Sequence, residues 1–461
     1  MRSLALSLVA LVSIGCGGGA TPAPSALVLD EKTRESSLRA ANAYLSALST
    51  GKYDDAAKLH APAMTSALPP AKLAETWAAL VEKQGALTDK GEPTLSIADG
   101  FVVVLFPSSF AKGRHDVKVV IDSDAKVSGL WFVAPTAPRV PAAHETKEAP
   151  AVVGVTESDL PKGVVARPIV VGADGWPLAG SVTLPEGPGP FPAVVLVHGS
   201  GPHDLDETIG PNKPFKDLAH GLAARGVAAV RYEKRTRAHS EKLAANMRFT
   251  VDDETIADAA SAVRALKGVK EIAADRIFVV GHSLGGMLAP RIAEAAPEVK
   301  GLVVLAGNTR PLEEAIVAQL DYLSSLPGST LPKEQVEAMK KEAARVAALD
   351  EKSAGSTTEI VFGTPTSYWI DLKKYAPATV AARLQKPMLF LQGGRDYQVT
   401  DVDLEGWQSA LKGRRDVMFR TYPSLNHLFL EGEGKSTPAE YEKPGHIPTF
   451  VLDDIASFVK R

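Results

Sequence analysis

Residues 276–286 read Arg-Ile-Phe-Val-Val-Gly-His-Ser-Leu-Gly-Gly, an apolar run followed by a serine that is bracketed by glycines. Gly281 and Gly285 allow a strand to turn sharply into a helix, so that Ser283 can hold a strained backbone conformation with its hydroxyl exposed. Short motifs of this kind also occur by chance. Here a buried-strand pattern precedes the serine and a small-residue helical pattern, 287–293, follows it, as the motif requires. We therefore predict that Ser283 is a nucleophile at a strand-to-helix turn.

Composition limits the class of protein. A chain of 461 residues exceeds what one ordinary core organises and indicates two or three domains. Its hydrophobic content of 45% is typical of globular proteins, and a net charge of −3 lacks the basic excess of a nucleic-acid-binding protein, so no nucleic-acid partner is expected. The one cysteine, Cys16, allows neither an internal disulfide nor a cysteine-ligated metal site.

Residues 1–16 are typical of a bacterial export signal. A positive end precedes an apolar stretch, 4–14, that is too short to span a bilayer. The Ser-Ile-Gly that precedes Cys16 resembles a lipoprotein cleavage site, at which the cysteine becomes the lipidated first residue. Ser13 stands where such sites usually carry leucine, so cleavage after Ala20 without a lipid is the alternative. We favour a lipid-anchored protein of the bacterial cell envelope, and otherwise a periplasmic or secreted one.

A small α+β domain is predicted over residues 30–134, between a Pro/Ala/Ser tether, 17–29, and a proline-rich linker, 135–162. Its predicted helices cover 32–48, a stretch running toward Leu59 after a break at 51–55, and 71–84; its predicted strands cover 101–106, 117–121 and 129–133. The segment carries no cluster of acids, bases or metal ligands. We interpret it as a spacer or a binding module.

Residues 163–461 alternate between strand and helix patterns, which predicts a mostly parallel sheet with helices on both faces. Predicted strands cover 164–171, 178–184, 193–197, 227–232, 277–280, 302–305, 388–391 and 417–422; predicted helices cover 252–266 and 447–459. The first two strands predict a hairpin across Asp174-Gly175.

Residues 308–385 interrupt this alternation and predict a cap over the site. An apolar stripe at helical spacing is predicted to face the site; it consists of Val336, Met339, Ala343, Val346 and Leu349. Tyr368 and Trp369 are predicted to contact substrate, and packing inside the cap is the alternative for both.

A serine hydroxyl is a weak nucleophile unless a histidine takes its proton and an acid orients that histidine. Asp396 lies just past a predicted late strand and is the candidate acid; Asp401 and Asp403 are competitors that lie farther on, where a helix should begin. His427 follows the last predicted strand and is the candidate base. His446 is its competitor, but it abuts the closing helix.

Two backbone amides are candidates for the oxyanion hole. One is the N–H of Leu284, directly after the nucleophile, and the other is the N–H of Ser200 in the glycine-containing loop 198–202. His198 is interpreted as a buried structural histidine.

Three further signals are discounted. Residues 432–436 mimic the end of a phosphate-binding loop, but the required earlier glycine is replaced by Phe429. Three acids could suggest a metal site, but acids in a loop are usually solvated, and no metal is predicted. These are Asp204, Asp206 and Glu207. The basic segment 233–237 is interpreted as a surface loop, with pocket lining as the alternative.

Four motifs together resemble the serine α/β-hydrolases, especially the esterase and serine-aminopeptidase-like branch. They are His-Gly-Ser-Gly-Pro at 198–202, Gly-His-Ser-Leu-Gly-Gly at 281–286, Gly-Gly-Arg-Asp at 393–396 and Asn-His at 426–427. The resemblance covers roughly residues 163–461. The leading segment is similar to a small domain of unknown function found ahead of some secreted hydrolases, with a pattern like that of cystatin-like or nuclear-transport-factor-like folds.

This resemblance implies an α/β-hydrolase fold and a Ser-His-Asp mechanism that needs no cofactor. We expect a small carboxylic ester as substrate, because no carboxylates with a strong claim to the pocket are available to hold a free amine. The apolar stripe with Tyr368 and Trp369 indicates a modest hydrophobic acyl site, so short to medium acyl chains are expected. An amidase or aminopeptidase on the same triad is the enzymatic alternative. A non-catalytic binding protein of the same fold is the alternative of a different class.

Overall fold

The computed structural model describes residues 31–98, 101–114, 116–133, 157, 159–244, 246, 248–329, 331–350 and 359–461. The predicted signal with Cys16, the tether and most of the predicted linker lie outside the described residues. The rest of the chain divides into two compact units, one on each side of that linker. None of the described helices combines the length and hydropathy needed to cross a bilayer.

The smaller unit is an α+β domain, as predicted. Its helices are α1 (Glu31–Ser49), α2 (Tyr53–Ala57), α3 (Pro62–Ala67) and α4 (Pro70–Gln84). Its strands are β1 (Leu87–Lys90), β2 (Thr94–Ala98), β3 (Phe101–Phe106), β4 (Ser108–Phe110), β5 (Gly113–Arg114), β6 (Asp116–Ile121) and β7 (Val127–Val133). Strands β2, β3, β6 and β7 form an antiparallel sheet, and β1, β4 and β5 form a second one. The prediction missed α3 and the short strands β1, β2, β4 and β5. In β1, polar and largely exposed residues left no apolar pattern to detect.

The core of this unit lies between the four-stranded sheet and α1. Strand β3 alternates between partly exposed and buried positions, and Val102, Val104 and Phe106 point inward. They pack in one cluster with Tyr44 and Leu48 of α1. Because β3 is apolar throughout, its packing against α1, and not its sequence pattern, decides which face is buried.

The larger unit contains one eight-stranded sheet. Its strands are β8 (Val164–Val171), β9 (Leu178–Pro185), β10 (Phe191–Val197), β11 (Ala228–Tyr232), β12 (Ile272–His282), β13 (Gly301–Leu305), β16 (Met388–Gly393) and β17 (Val417–Tyr422); β14 (Ile360–Val361) and β15 (Thr364–Pro365) form a separate hairpin. The order across the large sheet is β17-β16-β13-β12-β10-β11-β9-β8. The six strands from β17 to β11 run parallel, and β9 and β8 continue as the predicted antiparallel hairpin.

Helices cover both faces of this sheet. They are α5 (Pro214–Ala223), α6 (Arg235–Ala238), α7 (Ser240–Ala244), α8 (Ala257–Lys267), α9 (Leu284–Ala295), α10 (Leu312–Ser325), α11 (Lys333–Ala348), α12 (Thr366–Lys373), α13 (Pro377–Arg383), α14 (Asp401–Ala410) and α15 (Thr449–Val459). Neighbouring residues of β10 serve opposite faces: Val194 packs in the cluster with α5 and α15, whereas Val195 packs in the cluster with α8 and α9. Burial on both faces explains why the strands read as continuous apolar runs.

The predicted cap, residues 308–385, contains α10, α11, the β14–β15 hairpin, α12 and α13. The apolar stripe of α11 is buried at Val336, Met339, Ala343 and Val346, and it joins the larger core cluster. The predicted linker ends earlier than residue 162, because Glu157 already packs within the larger unit, where Arg231 and His220 contact its carboxylate.

Candidate active site

The serine motif forms the sharp turn that its glycines predict. Strand β12 ends at His282, helix α9 begins at Leu284, and Ser283 between them has φ of 54° and ψ of −117°. A Cβ on Gly281 would lie 2.2 Å from the Gly285 carbonyl oxygen, so no side chain fits there. The Ser283 N–H donates to the Leu305 carbonyl at 2.9 Å. These contacts hold a backbone conformation that is costly for a non-glycine residue, and such strain is typical of functional sites.

Asp396 and His427 come together at the ends of adjacent strands. Asp396 follows β16, His427 follows β17, and His427 Nδ1 lies 2.6 Å from Asp396 Oδ2. Asp396 Oδ1 accepts the backbone N–H groups of Gln398 at 2.7 Å and Val399 at 3.0 Å. Because these amides fix the carboxylate, it can hold the imidazole with Nδ1 protonated and Nε2 free to accept a proton.

The competing acids and histidine have structural partners. Asp403 caps α14 together with Thr400 and is paired with Arg310 at 2.6 Å. Asp401 is exposed at the start of the same helix. His446 is exposed and lies 3.0 Å from Asp217. The structure therefore brings Asp396 and His427 together and leaves the competitors elsewhere.

The loop after β10 runs beside the nucleophile. A Cβ on Gly199 would lie 3.2 Å from Ser283 Cβ, so only a glycine backbone approaches this closely without displacing the serine. The Gly199 N–H donates to Glu207 Oε1 at 2.6 Å. The Ser200 carbonyl lies 2.7 Å from His203 Nε2, which donates to it in the matching tautomer. The N–H of Ser200 donates to no protein group among the described residues, and the N–H of Leu284 lies in the first turn of α9, where no intrahelical acceptor exists.

A cavity of about 70 Å³ opens on Ser283 and Ser200. Its apolar lining comes mainly from α10, from Met339 of α11 and from Phe362 of the β14–β15 turn, and Asn308, Gln319 and Gln398 supply polar groups. No charged side chain is found among the described residues that line it. The cavity can therefore take a small, uncharged group next to the candidate nucleophile.

A family model described as "Serine aminopeptidase, S33" matches residues 189–435 of the chain. Esterase EstD of Thermotoga maritima (strain ATCC 43589) is 42% identical over 357 residues, which cover 77% of this chain and 78% of the relative. The chain belongs to this hydrolase family. The resemblance inferred from the four motifs and the α/β-hydrolase fold are both confirmed.

The smaller unit of the hydrolase matches a second family model, a protein family of unknown function, over residues 41–130. Among solved structures, an esterase from Pyrococcus furiosus is 16% identical, with 67% of this chain and 95% of that chain covered and a TM-score of 0.42. An esterase from Pyrobaculum calidifontis is 16% identical, with 64% and 85% covered and a TM-score of 0.43. Likenesses this distant say nothing about the substrate.

Glu207 is a residue of the hydrolase site that sequence reasoning missed. It is buried with φ of 51°, and its Oε2 lies 2.9 Å from His282 Nδ1. His282 Nε2 in turn lies 3.0 Å from the His427 carbonyl oxygen. One carboxylate thus contacts both the Gly199 amide and the histidine that precedes the nucleophile.

Electrostatic interactions with His282 keep the Glu207 carboxylate charged. Burial alone would raise the pKa of Glu207, but the charge of His282 and the contact with it lower the pKa to about 2. Burial likewise opposes the charged form of His282, but Glu207 overcomes it and raises the pKa of His282. His198 has no such direct partner, and burial lowers its pKa to about 3 although Glu207 partly offsets this. His198 is the buried, uncharged histidine that the sequence suggested.

The solvated interpretation of the acidic loop is wrong for Asp206 and Glu207. Asp206 contacts buried Arg231 and lies 2.9 Å from Lys213, while partly buried Asp204 accepts the Thr208 N–H and hydroxyl. A signal was available: Arg231 interrupts the apolar strand β11, and a cation buried in a strand needs an anionic partner. Among the described residues, no cluster of three or more metal-ligating side chains forms.

The surface-loop interpretation of 233–237 is wrong for its central residues. Lys234 and Arg235 are both buried, and each faces a buried carboxylate. Lys234 Nζ lies 2.9 Å from Glu254 Oε1, and Arg235 lies 2.5 Å from Asp258 Oδ1. Each cation is paired with a buried carboxylate. This pairing explains why a run of charged residues, which is usually solvated, can lie inside the hydrolase.

Tyr368 and Trp369 do not line the cavity, which corrects the expected substrate contact. Both are buried in α12, the Tyr368 hydroxyl donates to Glu254 Oε2 at 2.8 Å, and Trp369 Nε1 donates to the Val361 carbonyl at 2.8 Å. The alternative interpretation, packing inside the cap, describes them. Phe362 packs on Trp369, with 5.7 Å between ring centroids, and is the aromatic residue of the cap that lines the cavity, together with Tyr397 from outside the cap.

Proposed function

We propose that this hydrolase cleaves carboxylic esters through an acyl-enzyme, with Ser283 as nucleophile, His427 as proton carrier and Asp396 as the acid that orients His427. The observation that carries the proposal is the 2.6 Å contact between Asp396 and His427 in a fold that places Ser283 at a strained turn in the cavity wall. The 42% identity to Esterase EstD supports ester hydrolysis.

Each half of the reaction uses the same groups. Ser283 Oγ attacks the acyl carbon while His427 Nε2 takes the hydroxyl proton, and His427 then gives that proton to the departing alcohol oxygen. The acyl group is left bound to Ser283. A water then attacks this ester, His427 takes the proton of the water, and Ser283 leaves with that proton restored. Asp396 accepts the hydrogen bond from His427 Nδ1 and stabilises the imidazolium in both halves.

The negative oxygen of the tetrahedral intermediate needs donors that are already in place. We assign them to the N–H groups of Ser200 and Leu284, for which the protein supplies no acceptor among the described residues. Both lie beside the nucleophile, one in the loop whose Gly199 approaches Ser283 and one in the residue after Ser283.

The cavity favours an ester over an aminoacyl amide. A free ammonium group needs a carboxylate, but the described lining holds no charged side chain, and Asp204, Asp206 and Glu207 are engaged by other groups of the protein. An engineered cavity of about 150 Å³ holds benzene, so a cavity of about 70 Å³ suits an acyl chain of a few carbons. We therefore infer short acyl esters as substrates.

A matched panel tests this function. We expect p-nitrophenyl esters with short acyl chains to be turned over much faster than aminoacyl p-nitroanilides, with kcat/KM declining once the chain outgrows the cavity. An amine leaving group must be protonated as it departs, so amide cleavage demands tighter positioning. Faster cleavage of the anilides would indicate that the protein is an aminopeptidase, the activity for which its family is named.

We also propose that the protein is exported and lipidated at Cys16. The support is the position of the sole cysteine behind a short apolar segment. The full-length protein expressed in a bacterium should partition with membranes, and Cys16→Ser should release or misprocess it. A mature terminus at Thr21 without lipid would instead indicate a soluble exported enzyme.

A further inference from the structure

The peptide group between Gly199 and Ser200 has a buried cation behind it. Lys234 Nζ donates to the Gly199 carbonyl oxygen at 2.7 Å. This peptide bond is not among the cis bonds of the described chain, so its C=O and its N–H point in opposite directions. Since Lys234 holds the carbonyl on the buried side, the N–H of Ser200 is turned toward the cavity that Ser200 lines.

Lys234 is itself fixed by a buried chain of contacts. Its Nζ lies 2.9 Å from Glu254 Oε1, and both side chains are almost fully buried. Glu254 belongs to a π-helical turn, Asp252–Ile256, just before α8, and its Oε2 accepts the Tyr368 hydroxyl at 2.8 Å. Burial first, and then the charge of Glu254, raise the pKa of Tyr368 well above its ordinary value, so this hydroxyl stays protonated as a donor.

The adjacent peptide groups are held as well. Glu207 accepts the Gly199 N–H at 2.6 Å, and His203 lies 2.7 Å from the Ser200 carbonyl oxygen. Of the four backbone polar groups of Gly199 and Ser200, three are therefore paired with buried side chains, and the one left without a protein acceptor among the described residues is the N–H of Ser200. A loop clamped in this way does not have to reorganise when charge develops in the transition state.

We propose that Lys234 is a positioning residue for the reaction, which orients the Ser200 N–H and polarises its peptide group so that this N–H binds the oxyanion more strongly. The inference rests on the proposed function, because it needs the Ser200 N–H as an oxyanion donor. A cation on the carbonyl oxygen of an amide draws electron density from its nitrogen, and coupled hydrogen bonds strengthen one another at low dielectric. The contribution appears only when the oxyanion exists, so it acts on kcat and not on substrate binding.

The primary test is Lys234→Met, which keeps the stem of the side chain and removes its charge. Loss of a whole oxyanion donor costs about 100- to 1,000-fold in kcat, so a donor that is misaligned but present should cost about 10- to 100-fold, with KM changed less than about threefold. The affinity for a trifluoromethyl ketone, which forms a tetrahedral adduct on the nucleophile, should fall by the same factor as kcat. A normal kcat and normal ketone affinity in folded Lys234→Met would overturn the proposal.

Two further variants separate this role from a structural one. Lys234→Met leaves Glu254 buried without its cation, whereas Lys234→Met/Glu254→Gln removes both charges and should recover stability in urea unfolding. We expect kcat to stay low in the double variant, and its return to the wild-type value would overturn the proposal. Arg235→Met is the matched control, since it breaks the adjacent buried pair with Asp258, which does not contact residues 198–201. It should lose stability but keep kcat, and an equal loss of kcat would also overturn the proposal.

Ser283→Ala distinguishes the two levels of inference. If Ser283→Ala abolishes turnover while Lys234→Met leaves kcat unchanged, the proposed function stands and the role of Lys234 fails. If Ser283→Ala retains turnover, the proposed function fails, and the role of Lys234 fails with it.

Discussion

The wall of the cavity and the side chains that contact the Gly199 and Ser200 backbone next to it differ in charge. The described wall is mostly apolar, with Leu312, Met339 and Phe362 among its residues, and its polar side chains, such as Gln319 and Gln398, are uncharged. The layer behind it contains buried ion pairs, in which Lys234 pairs with Glu254 and His282 with Glu207. In the proposed mechanism, the ions that contact the Gly199 and Ser200 backbone orient dipoles without occupying the cavity, so substrate binding and charge stabilisation use different groups.

The largest expected effect lies where the two regions meet, at Ser283. A fluorophosphonate probe should label Ser283, and Ser283→Ala should abolish labelling and lower kcat by about a millionfold, as loss of a triad nucleophile does. The hydroxyl has no role in the core, so the urea midpoint should change little. Near-normal turnover by Ser283→Ala would contradict the mechanism.

The next effect concerns the ionic layer at Glu207. Glu207→Ala removes the acceptor of the Gly199 N–H and the partner of His282, so we expect kcat to fall about 10- to 100-fold and stability to fall by about 3 to 5 kcal/mol, as for a broken buried pair. Glu207→Gln keeps an acceptor for Gly199 and should recover much of kcat.

Asp206→Asn is the matched control in the same loop, because Asp206 contacts Arg231 and Lys213 and not the nucleophile. It should change stability and leave kcat near that of the wild type. Equal kcat losses in Asp206→Asn and Glu207→Ala would mean that the acidic loop acts only through general stability.

The buried histidines and Glu207 also predict a pH dependence of stability. Burial lowers the pKa of His198 to about 3 and also lowers that of His203, so the unfolded chain takes up protons below about pH 6.5 that the folded protein does not. Stability should therefore fall on acidification, by about 1.4 kcal/mol per pH unit for each such proton. Glu207 adds a further loss below about pH 4.5 because its folded pKa is lowered to about 2.

His282 has the opposite sign. Glu207 raises its pKa, so its contribution is complete below about pH 6.5 and is lost as the pH rises through the folded value. Urea unfolding at pH 7, 6 and 5 measures the balance, and His198→Gln should reduce the acid slope by about one proton. An unchanged free energy of unfolding between pH 6 and 5 would contradict the assignment.

The smallest expected effect belongs to the cavity wall. Phe362→Ala enlarges the cavity and should shift the preferred acyl chain upward by a few carbons, with each added methylene contributing at most about 0.8 kcal/mol to kcat/KM. Reactivity toward the shortest ester should change little. Trp369→Ala is the comparison, because Trp369 supports Phe362 from behind without lining the cavity, and it should cost stability more than it alters chain-length preference. The reverse ranking of the two variants would restore Trp369 as a substrate contact.

The three candidate catalytic residues could be predicted from their positions at the ends of predicted strands. Turn residues and buried strands have local signatures, so Ser283, Asp396 and His427 could be placed at strand ends from periodicity and glycines alone. Tyr368 and Trp369 could not be placed, because an aromatic pair in a cap helix packs equally well inward or over a pocket. Only their tertiary partners, the Glu254 carboxylate and the Val361 carbonyl, decide between the two.

The sequence by itself determined the parallel sheet, the nucleophile turn and the order of the three candidate catalytic residues, since each depends on residues that are close in the chain. Only the tertiary structure decided that Glu207 and Lys234 lie buried beneath the Ser200 loop. Their partners, His282 and Glu254, lie far away in sequence. Whether a charge is solvated or buried depends on whether distant segments supply its counter-ion, and local patterning carries no record of that pairing.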